Sequence, residues 1–142
     1  MIGGYARIRI SPRQGVAAVE LAILLPFLVF LLVLAIDYAR LFYFSQSVTN
    51  CARNGAIYAC DPTAPTYSAY KSVTEAALAD ASNLIPAPTV TSQTVTPWFG
   101  SPYVEVTVTY NFKTVTQFPV IPSSLNLTRT VRMRMEKTVP NF

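Results

Sequence analysis

Residues 15–40 decide the fold, and they read GVAAVELAILLPFLVFLLVLAIDYAR. Between Val16 and Ile36 the only charged residue is Glu20. A membrane-spanning helix needs about 20 consecutive, predominantly apolar residues, so this run is long enough to cross a bilayer. The sequence therefore predicts a transmembrane helix over residues 16–37.

The charges on either side of this run predict its orientation. Arg7, Arg9 and Arg13 precede it with no acidic residue among them, whereas the residues that follow it carry a balanced pair of charges. Lys and Arg concentrate on the cytoplasmic side of membrane helices. We therefore expect a cytoplasmic leader over residues 1–15 and an extracytoplasmic domain over residues 38–142.

Two residues distinguish this run from an ordinary membrane anchor. Glu20 lies inside it, and a charged side chain in a membrane helix costs about 2.5–3.5 kcal/mol on insertion scales, so a functional role is the first hypothesis. Gly15 is a small residue at the boundary of the run, which suits a protease that needs access to the backbone. Cleavage after Gly15 would leave an ammonium group at Val16, one helical turn from Glu20. In a bundle of identical helices, the ammonium of one helix could pair with Glu20 of the next.

The segment RQGVAAVELAILLP, which begins at Arg13, resembles the start of TadE-like proteins. These are minor pilins or pseudopilins of the bacterial Tad (tight adherence, Flp-type) pilus. The resemblance continues through DYARLFY and VTNCARNGA and covers roughly residues 14–56. In that family a prepilin peptidase cuts after the Gly of a Gly-x-x-x-x-Glu motif, and Gly15 and Glu20 match those positions. Leu21 departs from the family, which often has an aromatic residue after the Glu.

The resemblance implies a protein that is processed after Gly15 and takes part in the assembly or priming of a Tad/Flp-type pilus for adhesion. The implied partners are the prepilin peptidase, the other major and minor Tad pilins, the inner-membrane assembly platform and the lipid bilayer. The implied location is the bacterial inner membrane, and the pilus or cell surface after assembly. The main alternative is an uncleaved single-span envelope protein that presents a small binding or adhesin domain. A conventional secretory signal is disfavoured, because its apolar region would be only about 7–15 residues long.

The bulk composition argues against several other functions. Three of the eleven basic residues lie in the leader, which leaves eight basic and seven acidic residues for 16–142. This nearly neutral remainder argues against nucleic acid as a partner, because binding it requires a clustered basic surface. The chain has no His and two Cys, so Cys/His metal sites are not expected. No catalytic set or phosphate-binding Gly loop is recognisable, and we expect neither an enzyme nor a cofactor.

The helix is predicted to kink at Pro26 and to continue beyond the membrane over residues 38–59. Pro26 has no N–H to donate to the carbonyl of Ala22. Beyond the run, apolar or small residues recur at three- and four-residue steps, which is typical of an amphipathic helix. These residues are Leu41, Phe44, Val48, Cys51, Ala52, Gly55 and Ala59.

Cys51 and Cys60 are both extracytoplasmic on this topology, in a compartment that permits disulfides. If the chain folds back after Cys60, the two side chains could meet. We expect a disulfide between them in preference to two free, buried thiols.

The rest of the chain predicts a short helix and a sheet. A second helix is expected over residues 67–85, with Ser72 and Glu75 at capping-box spacing and an apolar stripe at Tyr70, Val73, Ala77, Ala81 and Leu84. Alternating apolar residues over 89–138 predict antiparallel strands. The expected fold class is α+β and membrane-anchored. A long N-terminal helix, half transmembrane and half amphipathic, packs with a short helix on a small antiparallel sheet, as in pilins.

Overall fold

The computed structural model describes residues 12–115 and 122–136. The chain divides into two units, Met1–Ile36 and Asp37–Phe142. The elements are the helices α1 (Pro12–Cys60), α2 (Ala64–Tyr67) and α3 (Val73–Leu78), followed by the strands β1 (Thr89–Val95), β2 (Tyr103–Lys113) and β3 (Ser124–Arg134). The predicted α+β fold class is confirmed.

Helix α1 contains 49 residues and begins at a proline. Proline is favoured at the first helical position, because its N–H would have no helical partner there and its φ is already helical. The helix ends at Cys60, where Asp61 accepts hydrogen bonds from the backbone and side chain of Thr63. Such local side-chain hydrogen bonds favour a turn over a further turn of helix.

The second predicted helix is much shorter than the 67–85 expected. Ser72 caps α3 by accepting a hydrogen bond from the Glu75 N–H, and the Glu75 carboxylate accepts one from the Lys71 N–H. After Leu78 the chain continues in single turns. Asp80, Ser82 and Asn83 make this region poor in helix propensity, because their side chains favour turns.

The predicted apolar stripe is nevertheless largely buried, although most of it lies outside a regular helix. Ala77, Ala81 and Leu84 are buried, whereas Tyr70 is exposed. The apolar spacing therefore predicted burial correctly and the backbone conformation incorrectly.

The three strands form one antiparallel sheet in the order β1-β2-β3. In the central strand, Val106 pairs with Ser92 of β1 and with Val131 of β3. Alternate residues of β2 point into the core, as a period of two requires; these are Val104, Val106, Val108, Tyr110 and Phe112. The alternation predicted for β3 holds less well, because Leu127 is buried whereas Leu125 is 44% exposed.

The core of the Asp37–Phe142 unit lies between the inner face of the sheet and α1. Phe44 contacts Tyr110 and Phe112 with ring centroids 5.6 and 5.5 Å apart. Val48, Cys51, Ala52 and Ala56 continue this buried face of α1 at helical spacing. The opposite face of the sheet is polar, and Thr107 and Thr109 there face Thr130 and Thr128 across the strands. Helix α1 thus covers the apolar face of the sheet, and the polar face can remain in water.

Candidate processing and assembly segment

The surface of residues 15–32 is exposed along its whole length, although it is almost entirely apolar. The most apolar 18-residue window of this helix has a mean hydropathy of 2.9 and no buried residue. Soluble proteins rarely expose contiguous apolar patches of more than a few hundred Å². In the part of the chain that the structure describes, one helix is both long enough and apolar enough to cross a membrane, and it is α1. The segment is therefore suited to lipid or to other apolar helices around it.

Gly15 lies in the first turn of α1 and has open space around it. A Cβ atom built at Gly15 would have nothing within 4 Å, and Val16 beside it is exposed. The first four N–H groups of a helix have no helical acceptor, so this turn can unwind at low cost. The Gly15–Val16 peptide bond is thus placed where a protease could draw it out of the helix.

Glu20 is exposed and lies one turn beyond Val16 on the same helix. Residues four apart on a helix have neighbouring side chains. A carboxylate near the start of a helix is also favoured by the helix dipole. Cleavage after Gly15 would therefore place a new ammonium group and a carboxylate on one face of the shortened helix.

Pro26 lies within α1, and the helix continues on both sides of it. The carbonyl of Ala22 accordingly has no helical N–H donor at residue 26. The kink predicted at Pro26 stays a prediction. Of the three leader arginines, Arg7 and Arg9 lie outside the described residues, and Arg13 lies in the first turn of α1 with its side chain undescribed.

The predicted Cys51–Cys60 disulfide is not present, and both cysteines are free. Both residues lie in α1, nine positions apart, so the helical rise separates their Cα atoms by about 13 Å. A disulfide needs Cα atoms within about 7 Å. The prediction was wrong because both residues lie in one continuous helix, so a turn of the chain after Cys60 cannot bring their side chains together. The Cys60 thiol instead donates to the carbonyl of Ile57 at 3.1 Å.

Thiol alkylation should show both cysteines free and Cys60 the more reactive. Burial raises the pKa of both thiols, so their accessibility decides which of them reacts faster. Cys51 is fully buried, whereas Cys60 is half-buried. We expect Cys60 to react with iodoacetamide in the native protein at least about tenfold faster than Cys51. Mass spectrometry should find two labels after unfolding without reductant, and a protein that gains none until it is reduced would contain the disulfide.

Asp37 joins α1 to the end of β2 in a way that the sequence did not reveal. Its Oδ1 accepts hydrogen bonds from the Val115 N–H at 3.1 Å and from Arg40 Nη1 at 3.3 Å. The guanidinium of Arg40 also lies 5.4 Å from the ring centroid of Phe112, within the range of a cation–π contact. The carboxylate that makes these contacts is largely shielded from solvent, since Asp37 is only 8% exposed.

Replacing Asp37 with alanine should destabilise the Asp37–Phe142 unit by about 1–3 kcal/mol. The variant removes the carboxylate to which the Val115 N–H and the Arg40 guanidinium donate, and a hydrogen bond to a charged group contributes about 1.5–3 kcal/mol. Urea unfolding of the full-length protein in detergent measures the loss. Glu105→Ala is the matched control, because the side chain of its partner Arg132 is 66% exposed and such pairs contribute less than about 1 kcal/mol. Equal losses in the two variants would contradict the account of Asp37.

Gly55 lies where α1 packs closely against the rest of the core. A Cβ atom at Gly55 would lie 3.0 Å from Cβ of Ala77 and 3.1 Å from Cγ1 of Val106. A glycine inside a helix lowers helix stability, so its presence usually has a packing reason. The sequence offered this signal, since Gly55 falls on the predicted apolar stripe.

A groove of about 320 Å³ lies beside the end of α1, lined by Asn54, Ile57, Tyr58, Ala64, Tyr67, Ser68, Tyr70, Ala76 and Ala79. Its aromatic lining was not predicted. The hydroxyl of Tyr58 is buried and has no hydrogen-bond partner among the described residues. None of the residues that line the groove is charged, so they offer binding contacts and no carboxylate or ammonium for acid–base chemistry.

The sequence model of the TadE-like protein family matches residues 15–56. The match confirms the resemblance inferred from the sequence over these residues, and it includes Gly15, Glu20 and the junction with the second unit at Asp37. No curated protein and no solved structure matches the chain.

Proposed function

We propose that this chain, TadE-like over residues 15–56, is a minor pilin or pseudopilin of a Tad/Flp-type pilus. A prepilin peptidase cuts the membrane precursor after Gly15, and the mature chain takes part in the assembly or priming of the pilus for adhesion. The leader with Arg7, Arg9 and Arg13 stays in the cytoplasm, and the Asp37–Phe142 unit lies outside the inner membrane. The role is structural, because each step needs ion pairing and packing but no bond making by this chain.

The observation that carries the proposal is the position of Gly15 and Glu20 on the exposed helix. Gly15 is at the open first turn, where substitution meets no steric obstacle from the rest of the described chain. Glu20 is a charge on a surface that is otherwise apolar from Val16 to Leu32. A membrane helix that served only as an anchor would gain stability by losing this charge.

The proposed mechanism uses the ammonium group that cleavage creates at Val16. Glu20 pairs with it in the same chain or in the next one, so that both charges become tolerable in an apolar bundle. A nearby cation favours the ionised carboxylate, while desolvation disfavours it. Burying a single charge is heavily penalised, so helices whose register leaves either group unpaired are disfavoured. The pair thereby selects one register between neighbouring helices.

Glu20→Ala should be processed normally and fail to enter the pilus or its assembly complex. The variant leaves the Val16 ammonium without its carboxylate, which penalises its burial in the helix bundle. We therefore expect at least about tenfold less mature protein in the assembled fraction, which corresponds to a loss of about 1.4 kcal/mol or more in the free energy of assembly. The measurement is the ratio of mature protein in sheared or cross-linked pilus material to that in the membrane. Glu136→Ala removes one exposed carboxylate from the other unit and is the control. Assembly of Glu20→Ala at the wild-type level would refute the register role.

The outer unit would supply the contacts to the other Tad pilins and to the assembly platform. The turn between β1 and β2 exposes two aromatic side chains, Trp98 and Phe99, which are 92% and 87% exposed. The alternative of an uncleaved envelope protein would use the same unit to present a binding surface. Processing distinguishes the two, because only the pilin requires a mature chain that begins at Val16.

A further inference from the structure

Strand β1 forms one edge of the sheet and leaves that edge open. It pairs with β2 on one side, and among the described residues its hydrogen bonds run to β2 alone. Five of its seven residues are exposed. Ser92, Gln93 and Thr94 also line a groove of about 260 Å³, so the space beside the strand is not filled by the described residues. An open edge presents a row of backbone N–H and C=O groups with which another strand can pair.

The two edges of the sheet differ in charge. Strand β1 reads TVTSQTV and contains no charged residue, no Pro and no Gly. Strand β3, at the opposite edge, carries Arg129, Arg132 and Arg134, and all three are exposed. Charged side chains and Pro are the usual protection of an edge strand against pairing with another chain. Because β3 has this protection and β1 lacks it, β1 is the edge suited to pairing.

We propose that β1 pairs in antiparallel orientation with β1 of a second copy of this chain, which joins two three-stranded sheets into one sheet of six strands. Identical edges related by a two-fold axis are self-complementary, because each contact between two residues occurs twice. An axis through Ser92, the middle residue of β1, places Val95 opposite Thr89 of the second copy. No like charges meet in this pairing, whereas two β3 edges would bring arginines together, which is destabilising.

Exposed apolar side chains at the two ends of β1 fit the same arrangement. Ile85, which precedes the strand, is 83% exposed, and Trp98 and Phe99, which follow it, are 92% and 87% exposed. Ile85 and Phe99 are equally far from Ser92 along the chain. Antiparallel pairing about Ser92 therefore brings the Trp98–Phe99 turn of each copy towards Ile85 of the other. Side chains that face solvent in the single chain would cover one another in the pair.

The surface that the pair would bury is large enough for a stable interface. A buried Phe or Trp side chain removes about 150–250 Å² from water, so the four aromatic side chains of the two turns would bury about 600–1,000 Å². Ile85 and the two strand edges add to this area. A specific interface needs about 1,000 Å² in total. The contact lies within the Asp37–Phe142 unit and does not depend on cleavage after Gly15, so it goes beyond the proposed function.

Disulfide trapping tests the pairing with Ser92→Cys in full-length protein that also carries Cys60→Ser. On the two-fold axis Ser92 faces its own counterpart, and the Cα atoms of directly opposed residues lie about 4.5–5.5 Å apart, within reach of a disulfide. Thr130→Cys in the same background is the matched control, because Thr130 is exposed on the other edge strand. In detergent with a mild oxidant, Ser92→Cys should give at least about fivefold more disulfide-linked dimer than Thr130→Cys.

Added lysines test the same contact in the Ser92→Cys protein. Thr91 lies opposite Gln93 of the second copy, so Thr91→Lys with Gln93→Lys sets like charges against each other and should remove the excess of dimer. Thr128→Lys with Thr130→Lys adds the same charges to β3 and should leave the excess unchanged. Equal dimer yields from the two cysteine variants would overturn the proposal, and so would an excess that survives the lysines on β1. Any association through α1 affects all variants alike, so the differences report on the β1 edge.

Discussion

Replacing Gly55 with valine is expected to unfold the Asp37–Phe142 unit at physiological temperature. The first added carbon would lie 3.0 Å from Cβ of Ala77, which is bonded directly to backbone and cannot move alone. It would also lie 3.1 Å from Cγ1 of Val106, a side chain of the central strand with no exposed surface. Overpacking a core costs about 1–3 kcal/mol for a few extra methylenes.

The two further methyl groups of valine extend the clash, because the crowded site offers them no free volume. Alanine should be destabilising by up to about 2 kcal/mol, because its gain in helix propensity of about 1 kcal/mol offsets only part of the overpacking cost. The valine variant should lose several kcal/mol, a large part of the 5–15 kcal/mol that stabilises a typical domain.

Thermal unfolding followed by circular dichroism measures this effect in the full-length protein. A loss of 1 kcal/mol lowers Tm by about 4–8 °C in a domain of this size, so the alanine variant remains measurable if the valine variant does not fold. Arg53→Val is the control, because it places the same β-branched residue at an exposed position of α1. A Gly55→Val protein that melted within about 2 °C of Arg53→Val would show that the approach at Gly55 is not tight.

Replacing Gly15 with leucine is expected to reduce peptidase processing from nearly complete to nearly absent. The TadE-like match begins at Gly15, and in the proposed mechanism the peptidase cuts on its carboxyl side. The change should leave the folded unit unaffected, since no atom lies within 4 Å of a Cβ built at this position. The loss would therefore come from recognition by the peptidase and not from unfolding.

The measurement for Gly15→Leu is the ratio of precursor to mature protein in cells with an active prepilin peptidase. Ala18→Leu is the control, because it adds the same side chain at an exposed position three residues beyond Gly15. We expect the control to be cut as completely as the wild type. Full processing of Gly15→Leu at the same bond would place the specificity of cleavage elsewhere.

The elements predicted most reliably from the sequence are those with a long, regular pattern. The apolar run after Gly15 and the strict alternation over β2 each repeat one physical requirement many times, and both correspond to regular elements in the structure. The processing segment could be proposed from the sequence because Glu20 interrupts a uniform apolar run and Gly15 lies at the boundary where that run begins. The second helix was overpredicted because Ala81 and Leu84 are buried in turns at spacings that also suit a helix.

The features that the sequence did not reveal depend on contacts between distant parts of the chain. The hydrogen bond from Val115 to Asp37 joins residues 78 positions apart, and local periodicity carries no information about such a pair. The disulfide prediction failed for a related reason. It assumed that the chain would reverse near Cys60 in time to bring the two thiols together, but α1 keeps both on one straight stretch of backbone.

The mature N-terminus distinguishes a peptidase-processed pilin from an uncleaved envelope protein. Intact mass and N-terminal sequencing are applied to the protein from its native membrane, with the prepilin peptidase active and with it inactivated. We expect a chain that begins at Val16 when the peptidase is active and at the precursor N-terminus when it is not. A chain that keeps its leader in the presence of the active peptidase would refute the pilin proposal and leave a fixed single-span envelope protein.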